Sequence, residues 1–160
     1  LSAEMILMGG AAKSLDHARE LYNDLIQSGA ALEKMREIIT AQGGDPASVD
    51  DYRMLPKARK EKAVLAGISG YVESIDTEAV GRASMLLGAG RDRLDASIDL
   101  GVGLHVEARI GDRVDAGSTL ATLIYNDETW VEEAARLIEQ AYTIGKERPP
   151  PPALIKTVLR

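Results

Sequence analysis

The sequence contains no cysteine and no phenylalanine, and it has a single tryptophan among its 160 residues. The absence of cysteine excludes disulfide bonds and thiol chemistry, and it fits a protein of the cytoplasm. Without phenylalanine, a core must be built from leucine, isoleucine, valine, alanine and methionine, and a hydrophobic content of 45% is sufficient for that. No apolar run approaches the roughly 20 residues that a membrane-spanning helix needs.

Positive charge is also scarce in this chain. The formal net charge is −6 at pH 7, and the one basic run, Lys57–Lys62, is short and precedes a strand-like segment. This charge balance argues against binding to nucleic acid or to an anionic membrane. We therefore interpret Lys57–Lys62 as a solvated edge rather than a phosphate site, and we expect neither nucleic acid nor membrane among the partners.

Three helices are predicted in residues 1–44. Ser2–Met8 is apolar on nearly all sides, which is typical of a helix packed against several neighbours. Ser14 caps a second helix, and Gly29 separates it from a third that ends at Gly43, so the second and third helices form a hairpin. The opening LSAEMILMGG lacks an initiating methionine and the basic start of a signal peptide. We therefore expect the chain to be a segment of a longer protein.

The stretch 101–124 is predicted to organise the rest of the chain. Two apolar runs, Val102–Val106 and Leu120–Ile124, flank a polar middle with turn signals at Gly111 and Gly117. This pattern indicates a strand, a turn, a short strand at 113–115, a turn and a second long strand. Such a meander exposes its edges and needs a partner, which we expect to be the alternating segment Gly70–Ile75.

The letters GDRVDAGSTLATL resemble the small barrel-sandwich of biotinyl and lipoyl carrier domains. Those carriers present a modified lysine on a hairpin. No lysine lies between Lys62 and Lys146, so the carrier function is excluded on chemical grounds. The interpretation that remains is a structural barrel without a swinging arm.

Two further helices are predicted around this stretch. Asp76 caps one helix, which ends at Gly88-Ala-Gly90 and is followed by a polar loop over 92–99. Asn126 or Asp127 caps the last helix, over 128–140, with Trp130, Ala134, Leu137, Ile138 and Ala141 on its apolar face.

The C-terminal end is predicted to return to the sheet. Residues 141–145 indicate a short strand, and the four prolines at 149–152 indicate a rigid extended segment. Leu154-Ile155 and Val158-Leu159 are expected to dock the tail as a final strand.

No group of residues carries an obvious chemistry. His17 and His105 each lack the partners that a metal site requires, and the loop with Asp50-Asp51 lacks the spacing of a calcium loop. The glycines of LGAGR at 87–91 follow a helix, whereas a phosphate cradle needs them before a helix N-terminus. The sequence therefore predicts no catalytic, no substrate-binding and no metal-ligating residue in this chain.

Longer stretches of the sequence nevertheless resemble one enzyme family. They are AEMILMGG at 3–10, SGAALEKMREIITAQGGD at 28–45, SGYVESIDTEAVGRASMLLGAGR at 69–91, SIDLGVGLHVEARIGDRVDAG at 97–117 and the tail PPALIKTVLR. Together they resemble the C-terminal part of the pyrimidine-nucleoside and thymidine phosphorylases over essentially the whole chain.

This resemblance implies an α+β fold. A C-terminal subdomain of the α/β-hammerhead or barrel-sandwich type, at 67–160, would follow helices of a large α/β domain at 1–44 and a connection with an edge strand at 45–66. The family cleaves pyrimidine nucleosides with inorganic phosphate, giving free base and sugar 1-phosphate, and its members are homodimers without a further cofactor. Its phosphate-binding and base-binding residues precede position 1 here, so the chain is expected to be an inactive scaffold that requires the rest of the parent enzyme.

A second hypothesis remains open, namely a free-standing, non-catalytic binding module with a barrel-sandwich fold. Such a module would be expected to begin with a capped and polar first helix, and the apolar Leu1–Met8 argues against it.

Overall fold

The computed structural model of the chain describes residues 1–91, 95, 97–151 and 153–159. It divides into two compact units, Leu1–Leu55 and Pro56–Arg160. The fold is mixed helix and sheet, with two small antiparallel sheets in the second unit. None of the helices within the described ranges has the length and apolar character required to cross a membrane.

The first unit is helical, as the sequence predicts. The Ser14 hydroxyl accepts the backbone N–H of His17 at the start of the second helix, and Gly29 adopts a φ of +78° between the second and third helices. The predicted hairpin is thereby confirmed. The unit contains α1 (Ser2–Met8), α2 (Leu15–Gln27), α3 (Ala30–Ala41) and two short 3-10 turns, Pro46–Val49 and Tyr52–Met54.

The first unit has almost no interior of its own. Its buried apolar residues are Ala12 and Ala18, whereas the other sixteen buried apolar side chains in the described chain belong to the second unit. The expectation that α1 is packed on several sides is wrong, because Met5 and Met8 are exposed. Only part of the apolar surface of α1 is packed in this unit: Ile6 and Leu7 are half-buried, and α1 contacts α2.

The second unit is built on six strands and two helices. The strands are β1 (Lys60–Leu65), β2 (Gly70–Ile75), β3 (Gly103–Val106), β4 (Arg113–Val114), β5 (Thr119–Tyr125) and β6 (Tyr142–Gly145). One sheet has the order β1-β5-β3 and the other β4-β2-β6, with all neighbours antiparallel. The helices are α4 (Thr77–Ser84), extended by a π-helical turn at Met85–Ala89, and α5 (Val131–Ala141).

Both sheets contribute to a single core. Val64 and Leu123 come from the first sheet, Val72 from the second, and Ile138 from α5, and all four are fully buried in one cluster. The helix α5 supplies a buried face of small and branched residues, Val131, Ala134, Ala135, Ile138 and Ala141. Burial of apolar area against both sheets is the main favourable term in the folding of this unit.

The predicted meander is only partly right. The three strands form, but β3 pairs directly with β5, and β4 crosses to the other sheet, where it pairs with β2. The chain leaves the first sheet because the N–H groups of Glu107 and Ala108 both bond to Leu120 O, which ends the β3–β5 ladder. The predicted partner Gly70–Ile75 is thus confirmed for β4, while β5 receives β1 as its second neighbour.

The start of α5 also differs from the prediction. Asn126 and Asp127 do not cap the helix, because Asn126 bonds to Arg59 N–H and to the Asp99 carboxylate, and Asp127 bonds to Thr129. The helix begins three residues later, at Val131. Ala134, Ile138 and Ala141 are buried as predicted, whereas Ala135 is buried in addition and Trp130 remains 55% exposed.

The C-terminal tail does not form the expected final strand within its described residues, 153–159. Leu154 is 99% exposed, and Leu159 is also exposed. The prolines before this segment lack the N–H groups that a ladder requires, and Arg148 Nε donates instead to Gly111 O. The polar loop predicted over 92–99 lies in part outside the described residues, which do not include 92–94 and 96.

The turn at Gly111 provides a first test of the fold. Gly111 has a φ of +92° and an added Cβ would meet no close atom, so the cost of Gly111→Ala is conformational alone. We expect this variant to lower the free energy of unfolding by about 1 kcal/mol or more. Gly67→Ala is the matched control, because Gly67 lies outside the left-handed region and is also uncrowded. Equal unfolding midpoints in urea would contradict the turn assignment.

The pairing of β2 with β6 provides a second test. An added Cβ at Gly70 would lie 2.4 Å from the backbone oxygen of Gly145, which cannot move without breaking the pairing. Gly70→Ala should therefore lower the free energy of unfolding by about 1–3 kcal/mol. At Gly145 the crowding atoms belong to the exposed Glu73 side chain, which can rotate away, so Gly145→Ala should cost less. The reverse order in thermal unfolding would refute this register.

Candidate functional site

The residues that the sequence singled out are not brought together by the fold. His17 lies at the start of α2, where its Nδ1 accepts the N–H of Lys13, and His105 lies on β3 with its side chain exposed. Among the described residues, no group of three or more histidine, cysteine, aspartate or glutamate side chains is placed to hold a metal ion. Neither histidine therefore belongs to a ligand cluster within that part of the chain.

The acidic pair in the first connection is engaged in ion pairs. Asp50 accepts two hydrogen bonds from Arg36, at 2.5 and 2.8 Å, and Asp51 accepts from Arg53. The hydrogen bonds from Arg36 lower the pKa of Asp50 and raise the pKa of the guanidinium. The Asp50 carboxylate thereby ties α3 to the end of the first 3-10 turn, whereas Asp51 bonds within the second turn.

Two of the four cations in the basic run at 57–62 are paired with acidic side chains. Lys60 Nζ lies 2.6 Å from Glu128 and Lys62 Nζ lies 2.5 Å from Glu132, near the start of α5. The hydrogen bond from Lys62 lowers the pKa of Glu132, and the bond to Glu128 raises the pKa of Lys60. With both ammonium groups paired, this edge offers little to a phosphate group.

The glycine-rich turn after α4 acts as a helix end. Gly88 has a φ of +99°, and its carbonyl oxygen accepts the N–H of Asp99 at 3.0 Å. The Asp99 carboxylate in turn accepts the N–H of Gly101 and the Asn126 amide. The turn thus presents the Gly88 carbonyl to the Asp99 N–H and fixes the position of the segment that leads into β3. This agrees with the interpretation of the glycines as the end of a helix.

A recess of about 370 Å³ opens in the second unit beside Leu65, Ile68, Leu120, Tyr142 and Ile144, with Glu139 at its rim. Its one polar interior group is the Tyr142 hydroxyl, which lies 3.0 Å from both Ala108 O and Leu120 O. Leu120 O already accepts two backbone N–H groups, so the Tyr142 hydroxyl donates its proton to Ala108 O. The recess contains a structural hydrogen bond rather than an acid–base pair.

A second recess, of about 330 Å³, is polar and lies beside β4. Its side chains are used by the local turns: Asp112 accepts the N–H of Arg109, and the Ser118 hydroxyl accepts the N–H of Asp115. These bonds hold the turns around β4 in place. Within the described ranges, the Asp112 carboxylate and the Ser118 hydroxyl of this recess bond to the backbone and not to each other.

The first unit contains an apolar groove of about 300 Å³ between α3 and the two 3-10 turns. We call it the α3 groove. This groove was not predicted, because Val49, Tyr52 and Leu55 lie in a segment, 45–66, that was interpreted as a connection. Their apolar spacing could have indicated a half-buried strip. The groove is lined by Leu32, Met35, Ile39, Val49, Tyr52 and Leu55, with Ser48 at one side.

The electrostatics of the described residues favour packing over catalysis. No charged side chain among them is buried. The pKa shifts arise from hydrogen bonds at the surface, with the exception of Tyr142, where burial is the main cause. Perturbed groups gathered in a cleft are what a catalytic site requires, and the described part of the chain has none.

Comparison with known proteins gives one consistent family. The family model described as "Pyrimidine nucleoside phosphorylase C-terminal domain" matches residues 71–145. The thymidine phosphorylase of Burkholderia cenocepacia is 39% identical over 160 residues, and the pyrimidine-nucleoside phosphorylase of Staphylococcus aureus is 35% identical over 159 residues. Each alignment covers 99% of this chain and 36% of the relative. The chain thus spans about a third of the length of these curated relatives and matches their C-terminal part.

The Tyr142 hydroxyl provides a test that depends on pH. Burial, assisted by the charge of Glu107, raises the pKa of Tyr142. A raised pKa means that the folded chain holds the proton more tightly, so this contribution to stability is complete below about pH 10, the ordinary tyrosine value. It is lost as the pH rises through the folded value.

We expect Tyr142→Phe to lower the free energy of unfolding at neutral pH by about 1 kcal/mol. The variant should also show a smaller loss of stability than the parent chain between about pH 9 and about pH 11. Urea unfolding across this range measures both effects. Tyr22→Phe, at an exposed position on α2, is the control. Parallel curves for the parent and Tyr142→Phe chains would contradict the role of this hydroxyl.

Proposed function

We propose that the chain acts as the C-terminal scaffold of a pyrimidine nucleoside phosphorylase, because its residues 71–145 match the C-terminal domain family of these enzymes. The proposed parent enzyme is a pentosyltransferase. It cleaves pyrimidine nucleosides with inorganic phosphate and releases the base and a sugar 1-phosphate. The observation that carries the proposal is the similarity over 99% of the chain to phosphorylases that are much longer.

The chemistry of the described residues supports a scaffolding role. Phosphorolysis requires cations and N–H donors aimed at a phosphate dianion, and polar groups that hold the base. Arg36, Lys60 and Lys62 are paired with acidic side chains, and no charged side chain within the described ranges is buried. In the proposed enzyme the phosphate-binding and base-binding residues therefore belong to the part outside this chain. Phosphate is a co-substrate, and no further cofactor takes part.

We also propose an architecture for the parent enzyme. Two three-stranded sheets that share one core support a barrel-sandwich of the hammerhead type for the second unit. The helices in residues 1–44 would belong to the large α/β domain, which the rest of the parent enzyme completes. We propose that the parent is a cytoplasmic homodimer. A free-standing binding module is disfavoured, because a similarity limited to the second unit would then be expected.

The proposal predicts that the purified chain does not release uracil from uridine, or thymine from thymidine, in phosphate buffer. The reason is that no group able to hold phosphate or base is assembled among the described residues. Base release is followed by ultraviolet absorbance, with the thymidine phosphorylase of B. cenocepacia as the active control. Phosphate-dependent release by the chain that scales with its concentration would overturn the scaffold assignment.

A further inference from the structure

The first unit carries an apolar surface without a core beneath it. All of its 55 residues are described, and its buried apolar side chains are two alanines. Helices of 12 and 13 residues are marginal in water unless an apolar face is packed. Such a hairpin needs apolar contacts beyond those it makes within the unit. Its exposed large apolar residues include Tyr22, Leu25, Ile26, Leu32, Met35, Ile38, Tyr52, Met54 and Leu55.

The α3 groove is the concave part of this surface. Met35 on α3 is 49% exposed, and Tyr52 and Leu55 on the opposite side are exposed as well. A volume of about 300 Å³ lies at the lower end of ligand-pocket sizes and suits a few apolar side chains. An aromatic residue such as Tyr52 beside a concave apolar pocket is typical of the centre of a binding interface.

The charges around the groove are already paired within the unit. Arg36 bonds to Asp50 and Glu33, and Lys34 bonds to Glu37. Arg53 bonds to Asp51 on the second 3-10 turn. A charged occupant would therefore find no free counter-charge among these groups, and recognition has to depend on apolar contact.

We propose that the α3 groove binds apolar side chains from the part of the parent phosphorylase that lies outside these 160 residues, and so anchors the first unit to that part. This inference rests on the proposed function. The relatives are long enough to provide such an occupant, because the chain covers only 36% of each of them. A second copy of the chain is the weaker occupant, because a net charge of −6 makes identical copies repel one another.

The test uses the full chain and a separately produced piece of the B. cenocepacia thymidine phosphorylase that comprises the residues preceding the matched region. The matched C-terminal piece of the same enzyme is the positive control, and the conditions are those in which it binds and restores thymidine cleavage. Binding of the chain is measured by calorimetry. Methionine oxidation by hydrogen peroxide, followed by mass spectrometry, reports where the chain is covered. Met35 lines the groove, whereas Met54 is similarly exposed, at 47%, and does not line it.

Two variants isolate the groove. Met35→Glu places a charge inside it, and Ile38→Glu places the same charge on the same helix at a position that is 45% exposed and outside the groove. Glutamate is as good a helix former as methionine, so neither change should break α3. We expect Met35→Glu to weaken binding by at least about tenfold and Ile38→Glu to weaken it much less. We also expect Met35 to be shielded from oxidation more strongly than Met54.

The outcomes separate the two proposals. Binding or restored activity without shielding of Met35, or with equal effects of the two variants, would overturn the groove as the anchor and leave the proposed function standing. Shielding of Met35 in the chain alone as its concentration rises would assign the groove to a second copy. Failure of the chain to bind, under conditions where the positive control does, would overturn the proposed function together with the inference.

Discussion

The Tyr142 side chain links the two sheets of the second unit across their shared core. Its backbone lies at the start of β6 in one sheet, and its hydroxyl reaches the carbonyl oxygens of Leu120, on β5 of the other, and of Ala108 between them. Each sheet has only three strands, and one of the two sheets includes the two-residue β4. The two sheets gain stability by sharing a core. The chain changes from one sheet to the other near Ala108, and the buried hydroxyl fixes this point against the core.

The distribution of that core explains why the chain divides as it does. The second unit buries large branched side chains such as Leu123 and Ile138, and it packs its apolar residues within its own core. The first unit presents comparable side chains on α2 and α3 but buries only alanine. A chain organised in this way resembles one complete subdomain that is preceded by helices whose packing partner is elsewhere. This organisation agrees with the length of the relatives, which are nearly three times as long as the chain.

The sequence predicts no catalytic constellation, because each candidate lacks a partner at the required spacing. His17 and His105 lie on separate elements, and Asp50 and the lysines at 60 and 62 are matched by opposite charges. The α3 groove could not be predicted in the same way. The groove is formed by residues from α3 and from two 3-10 turns. The turns lie in a segment of mostly polar composition, in which the few apolar residues do not stand out.

The sequence by itself determined the local features: the caps at Ser14 and Asp76, the turns at Gly111 and Gly117, and the bounds of β2. The caps and the turns each depend on a backbone conformation or a hydrogen bond within a few residues, and β2 follows an alternating pattern of adjacent side chains, so all of them can be recognised locally. Only the tertiary structure decided that β4 leaves its neighbours for β2, that β1 pairs with β5, and that the tail stays outside the sheets. Strand pairing is chosen by contacts between distant segments that compete for the same ladder positions. That competition is settled by the burial of the whole core and not by local propensity.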